Sequence, residues 1–461
     1  MISTKQAEKI LSQALSQGGQ WADLFVEESI KNQASLSDKA VKTVSQNQVL
    51  GAGLRVVSNL KEYYGHTNDL SEAGLSKLAK ALASSVASGE VTKKISLDSS
   101  SEKPQLHDPA KAPSQVGWKP KIALLRQADQ VARAFSDKIV QVNASYMDET
   151  QRIVVANSDG LYKDESRTRG RFALQTVAAS GEVKEFGYES PGALKGFEFF
   201  EHLNIPELAH HSAETAVRML TAPHAPQGPM TVIIDGGFGG VIFHEACGHS
   251  LEAHAVARKA TVMAAKLNHR IASDCVSAVD DGTLLQEWGS TVIDDEGETT
   301  RRNLLIDQGV LKSFLVDRLN GERLGLKSTG SSRRESYRYA PTSRMNNTFI
   351  LPGHSSLESM IAETDYGLYA KKMGGGSVNP ATGEFNFAVM EGYLIEHGKI
   401  TRPVKGATLI GRGEEILKKI DRVGDTLSMA QGMCGASSGW VPVNVGQPPI
   451  RVRDLLVGGQ A

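Results

Sequence analysis

Cysteine is scarce in this chain: its 461 residues hold three, Cys247, Cys275 and Cys434. So few cannot form a disulfide framework, which points to a reducing compartment with thiols free for packing or for metal. A surplus of charge of one sign is also missing. The formal net charge is −1, so nothing favours a general attraction to nucleic acid or to an anionic membrane. No apolar run approaches the roughly 20 residues needed to cross a bilayer; the longest, such as MTVII and GGVIF, are far shorter. The amino terminus, MISTKQAEKILSQALSQGG, has no basic head followed by an apolar stretch and does not read as a secretory signal. A cytoplasmic location is the expectation. No strong internal repeat is visible.

What is present is the composition of an ordinary soluble globular protein, 40% apolar and 22% charged. The length calls for about two or three domains. Ala7, Ile10, Leu11 and Ala14 recur at helical spacing after a capping Ser3 or Thr4. ADLFVEES and QASLSDKAVKTVSQ alternate like strands, GAGLRVVSNLKEYYGHT reads as a hairpin partner, and DLSEAGLSKLAKALASSVAS returns to a helical period. Residues 1–90 thus form a small α+β unit. Residues 91–118, rich in Ser, Pro, Lys and Asp, read as a linker. Residues 119–224 form a second α+β unit, with helices in PKIALLRQADQVARAFSD and PELAHHSAETAVRML and a turn at NSDG. The prolines of TAPHAPQGPM mark a boundary, and residues 225–461 read as a larger β-rich domain around one helical stretch. The fold class expected is α+β.

That stretch is FGGVIFHEACGHSLEAHAVAR, residues 238–258. His244 and His249 are five positions apart, which places them about 140° apart on a regular helix, too far round to share an ion. A π-type turn would absorb the extra residue, and Gly248 would ease it. Glu245 is the adjacent carboxylate, placed to take a proton from an activated water as in His-Glu-x-x-His zinc sites. Without a metal, His244 is a buried, hydrogen-bonded helix histidine and His249 a surface one. A catalytic zinc site needs a third protein ligand. Cys275, Cys434, His254, His354, His397 or an acid could supply it. Cys434 lies between Gly432 and Gly435, and is either a ligand or a small core residue. Cys247 reads as packing, and His254 as an exposed helix residue.

FHEACGHSLEAH resembles the His-Glu-x-x-x-His motif of the TldD/PmbA family of metalloproteases. VIDDEGETTRRNLLIDQGVLKSFLVDRLNGERLG, STGSSRRESYRYAPTSRMNNTFILPG, GGGSVNPATGEFNFAVMEGYLIEHGKI and GMCGASSGWVPVNVGQPPIRV are similar to further blocks of that family, in the same order. The resemblance implies zinc (Zn2+) held by His244, His249 and Cys434, with Glu245 as the catalytic carboxylate. It implies hydrolysis of unfolded or short peptides. It also implies a homodimer, or a heterodimer with a related subunit lacking the metal motif, around an internal cavity. Retention of the motif resembles the catalytic subunit.

Tyr339, Arg344 and Asn346 lie in one of these blocks and are candidates for stabilising an oxyanion, or else for turn and strand packing. KKMGGGSVNP would let a peptide backbone approach a strand edge, or is a flexible turn. IDGGFGG lacks the Lys-Ser/Thr of a phosphate loop, and SSRRES could hold a carboxylate or be simply solvated or salt-bridged. The competing functional classes are a non-catalytic peptide-binding or regulatory subunit and a zinc hydrolase of a small amide. Neither basic clustering nor aromatic interleaving for direct DNA binding is present.

Overall fold

The computed structural model describes residues 2–86, 89, 94–98, 108–379 and 382–459. Of the linker expected at 91–118, residues 91–93 and 99–107 lie outside the described residues. Among those described, Ile95 and Leu97 pack onto the core formed by the first helix and strands.

The fold is α+β. The first half is built on one antiparallel sheet, in the order Lys61–Thr67, Ala40–Ser58, Trp21–Ser37, Ile139–Asn157, Tyr162–Ser180 and Val183–Glu189. Strands from residues 1–90 and 119–224 therefore share a sheet; Trp21–Ser37 pairs with Ile139–Asn157 from Asp23 opposite Asn157 to Ser37 opposite Asn143. QASLSDKAVKTVSQ is not one strand. Asp38 and Lys39 take φ of 50° and 63°, a two-residue turn that matches the twist of the strands it joins. Neither residue is the glycine that usually announces such a turn, so alternation alone ran through it.

Helices cover one face of this sheet. Thr4–Ala14 buries Ala7, Ile10, Leu11 and Ala14, with Ser3 as its capping residue. Glu72–Val86 packs beside it, and Trp118–Phe135 and Ile205–Leu220 cover the other end. The opposite face meets the second half through Phe25, Ile153 and Val155 against Ile293 and Tyr337. Buried ion pairs flank that contact. Arg55 lies 2.7 Å from Asp23 and 2.6 Å from Glu296, Arg334 lies 3.3 Å from Asp23, and Arg167 lies 2.8 Å from Asp295. Arg333 and Arg334 of SSRRES are thus buried, not solvated. Removing one partner of such a pair costs about 3–5 kcal/mol, because the other is left charged in low dielectric.

The second half contains two larger sheets. One runs Val310–Leu311, Arg302–Asp307, Ala278–Asp281, Asn347–Ile350, Gly439–Gln447 and Ser428–Ala436. The other is ordered Tyr366–Val378, Gly228–Ile234, Ile450–Gly458, Thr408–Arg412, Glu384–Glu396 and Lys399–Val404. The helix Val241–Ala246 touches strands of both. Its Val241, Ile242, Phe243 and Ala246 join Val232, Leu368, Val443 and Val445 in the largest core. A helix held this way has no freedom to slide, so its one polar face is fixed. No helix among the described residues is long and apolar enough to cross a membrane.

Candidate metal centre

The helix that begins at Val241 ends at Ala246. Cys247 leaves helical geometry, with φ −125° and ψ −50°, and Gly248–Leu251 form a 3-10 turn. The expected π-type turn is not what forms; the helix breaks, and the tighter turn after the break brings the second imidazole back to the first. The two rings stand 5.1 Å apart between centroids and nearly perpendicular, at 85°. Gly248 is needed for a different reason than expected. Its φ is not in the left-handed region, but a Cβ there would sit 2.2 Å from Met345 Sδ.

Cys434 arrives from the edge strand Ser428–Ala436, opposite Val441. Its Sγ is 3.3 Å from His244 Nε2 and 3.3 Å from His249 Nε2. One donor atom from each of the three residues lies within 4.8 Å of the others, the only such group of His, Cys, Asp or Glu among the described residues. His244 and Cys434 are buried, and His249 is partly so. Glu245 stands beside them, its Oε2 3.7 Å from His249 Nε2, with its side chain 30% exposed. It is the member of the group that solvent reaches most easily.

Two residues complete the centre. Glu252 is buried, and its Oε2 lies 3.1 Å from His249 Nδ1. A carboxylate there fixes the ring so that Nε2 faces the thiol, the usual way a ligand histidine is oriented from behind. Arg344, also buried, joins the two halves of the site. Its guanidinium donates to the Cys434 carbonyl at 2.5 Å and to Ser438 Oγ and the Gly439 carbonyl, each at 2.9 Å. Its Nε is 3.7 Å from Glu252 Oε1. Glu252 was not singled out in the sequence; its three-residue offset from His249 was the available signal, and it becomes meaningful only once a 3-10 turn is known to follow Cys247.

The electrostatics are those of a mutually stabilised thiolate and imidazole set. Burial acts to raise the Cys434 thiol, but the facing His244 and His249 outweigh it and hold the thiol at about 4. Burial acts to lower His249, and the Glu252 carboxylate, together with Cys434, overrides it and pushes the ring well above its ordinary range. Glu252 is shifted down despite its own burial, by His249, Arg344 and His254. Cys247 has no such neighbours; burial alone pushes its thiol up to about 12, as suits a packing residue.

The rival donors are elsewhere. Cys275 contacts Ser273 Oγ at 3.2 Å and lines a separate groove with His354. His397 pairs with Asp365 on the surface. His254 is not an exposed helix residue: it is partly buried, its backbone N–H donates to Ser343 Oγ at 3.1 Å, and its Nδ1 is 3.8 Å from Glu252. Asn346 directs its amide toward Gly282, where a Cβ would meet Nδ2 at 2.6 Å, and its backbone N–H donates to Asp280. Tyr339 is half-buried, and its carbonyl accepts from Arg334.

The glycine-rich stretches shape the approach. In IDGGFGG, Gly237–Gly240 form a 3-10 turn pressed on the strand Gly439–Gln447; a Cβ on Gly240 would lie 2.5 Å from the Gly446 nitrogen. In KKMGGGSVNP the strand pairing jumps from Met373 to Gly376, leaving Gly374 and Gly375 out of register. Both line a cavity of about 560 Å³, together with Phe238, Gly239, Met429 and Gln431. The cavity thus borders both the turn leading into the His244 helix and the strand that carries Cys434.

Profiles described as PmbA/TldA metallopeptidase domain 1, central domain and C-terminal domain match residues 22–86, 111–220 and 227–459. A protein of Haemophilus influenzae named metalloprotease TldD homolog is 34% identical over 95% of this chain and 93% of its own length. One of that name from Buchnera aphidicola (Acyrthosiphon pisum strain) is 32% identical over 95% and 92%. A metalloprotease of Methanocaldococcus jannaschii is 31% identical over 98% and 99%. Among solved structures, a Thermotoga maritima protein titled a putative modulator of a DNA gyrase superposes with a TM-score of 0.81 at 20% identity, covering 98% of this chain and 99% of that one. TldE from Thermococcus kodakarensis gives 0.77 at 18% identity, covering 99% of each. Both share the fold.

Proposed function

The chain belongs to the PmbA/TldD metallopeptidase family, and from that premise we propose that it is a zinc-dependent peptidase acting on unfolded or short peptides. The observation that carries the reading is the convergence of His244, His249 and Cys434 within 4.8 Å, with Glu245 3.7 Å from one of them. Two imidazoles and a thiolate suit zinc, and three protein ligands leave a position open for chemistry. The spacing fits: tetrahedral bonds of about 2.3 Å to sulfur and about 2.0 Å to nitrogen separate such donors by about 3.5 Å, against 3.3 Å here.

Zinc, when bound, would polarise the scissile carbonyl and lower the pKa of water. The remaining work falls to the chain. Glu245, partly open to solvent, takes the proton of the attacking water and passes it to the departing amine. Glu252 holds the His249 ring, and Arg344 holds the Cys434 strand, so the donors need little reorganisation. The cavity bordered by Gly374 and Gly375 supports a peptide lying along a strand edge. A Cβ on Gly375 would meet nothing within 4 Å, so a second backbone has room there, and main-chain pairing would read extended shape rather than sequence.

A second subunit, either another copy or a related chain lacking the motif, is part of this reading. The half-strand Ala40–Gly51 supports it: it pairs with Trp21–Ser37 on one side, and the next strand begins to cover it only at Ala52. A purely binding subunit has no use for a carboxylate beside three metal donors. The test is hydrolysis of an unstructured peptide with and without chelator, for the parent and Glu245→Gln. Chelator-sensitive cleavage that falls about 100-fold or more in the variant, with metal retained, is expected. Full activity in the variant removes Glu245 from the mechanism.

A further inference from the structure

A second concave site stands out by its charge. A pocket of about 590 Å³ lies where the first sheet meets the second half of the chain. Its wall carries Lys61, His254, Arg258 and Arg323. It also carries two carboxylates, and both are already engaged. Glu62 lies 3.3 Å from the buried Arg55. Asp317 caps the helix Arg318–Leu324, accepting from the Asn320 and Ser343 backbone nitrogens at 3.2 Å each.

The cations are not engaged in the same way. Lys61 and Arg258 are exposed and have no carboxylate partner among the described residues. Among the described residues Arg323 bonds to neutral acceptors, Asn320 Oδ1 at 2.9 Å and the Leu60 carbonyl at 2.7 Å, and to no carboxylate. Three uncompensated positive charges therefore rim one concavity, where low-dielectric walls focus their field. Guanidinium groups present paired N–H donors that match the two oxygens of a carboxylate or phosphate.

One side chain joins this pocket to the metal centre. His254 Nδ1 is 3.4 Å from Ser343 Oγ and 3.8 Å from Glu252 Oε2, and Glu252 is the group that orients His249.

The geometry points to an oxyanion-binding site: the pocket takes a carboxylate or phosphate group between Lys61, Arg258 and Arg323. The anionic group has two sources, the end of a peptide or free phosphate. The volume leaves room behind the charged group for either.

Inorganic phosphate titrated calorimetrically into the purified protein tests this, with the parent compared against the Lys61→Ala/Arg258→Ala double variant. Saturable, salt-sensitive binding, weakened about ten-fold or more in a double variant that melts like the parent, is expected. No binding at millimolar phosphate, or equal binding by both proteins, overturns the assignment; the latter would show that phosphate binds elsewhere on the protein. Short peptides ending in a free carboxylate or an amide then compete with phosphate in a Glu245→Gln background, where turnover is blocked. Competition by the acid alone identifies a peptide end as the source, and competition by neither identifies free phosphate; both support the site. Because the readout is binding, failure of the peptidase reading shows separately, as a parent protein that cleaves no peptide.

Discussion

Replacing Glu252 with glutamine keeps the shape of the side chain and removes its charge. Three contacts define what is lost. Oε2 lies 3.1 Å from His249 Nδ1 and 3.8 Å from His254 Nδ1, and Oε1 lies 3.7 Å from Arg344 Nε. With the charge gone, the His249 ring loses the negative partner that makes Nε2 a better donor, and a neutral amide oxygen orients it less firmly. Groups placed behind a ligand in this way are worth about 10–100-fold in metal affinity, or about 1.4–2.8 kcal/mol. Arg344 keeps its three other acceptors, so the added cost to folding is a weakened charged contact, about 1–3 kcal/mol.

The loss should depend on pH. In the ion-free protein Glu252 helps raise His249 well above its ordinary range, so protons compete with metal in the parent more than in the variant. The affinity deficit of Glu252→Gln is therefore largest at high pH and shrinks as pH falls. Competition against a chromophoric chelator measures it, with melting of the metal-free proteins run alongside to separate affinity from stability. A variant that binds metal within two-fold of the parent at every pH would refute the role given to Glu252.

Three further outcomes are expected. Cys434→Ser should lower metal content by elemental analysis, since a hydroxyl does not ionise as the thiol held at about 4 does; tight, stoichiometric metal in that variant would move the third ligand elsewhere. Gly248→Ala should destabilise the protein by about 1–3 kcal/mol through overpacking, because the new Cβ meets Met345 Sδ at 2.2 Å; the same change should cost less in a Met345→Ala background, and a melting temperature equal to the parent's would contradict the packing argument. Glu27, at the contact between the two halves, is pushed up to about 7 by burial and by the charges of Glu149 and Asp295, against hydrogen bonds from Gln151 and the Tyr337 nitrogen. A carboxyl raised on folding contributes stability below its unfolded pKa and loses it as pH rises through about 7, about 3 kcal/mol in all. Melting followed from pH 5 to 9 should fall more steeply in the parent than in Glu27→Gln, and parallel curves would show that Glu27 titrates normally.

The amphipathic helices were legible because their signal is local: Ala7, Ile10, Leu11 and Ala14 lie on one stripe, and all are buried. The turn at Asp38-Lys39 was not, since both residues take positive φ without a glycine to advertise it. Arg333 and Arg334 read in the sequence as a pair that is solvated, salt-bridged or free to hold a carboxylate; that Arg334 is buried against Asp295, 39 positions away, and Asp23, 311 away, is decided by the fold.

The donor chemistry of the candidate centre was written in the chain, in two histidines, a neighbouring carboxylate and a cysteine between glycines. Their meeting was decided in three dimensions. The helix breaks at Cys247, and the turn that follows packs Gly248 against Met345, about a hundred positions away, which the sequence near His244 does not mention. Cys434 reaches His249 across 185 positions because a sheet edge, held by Arg344, delivers it there. Spacing along a chain governs only neighbours within a turn or two; which thiol faces an imidazole is settled by which cores pack together.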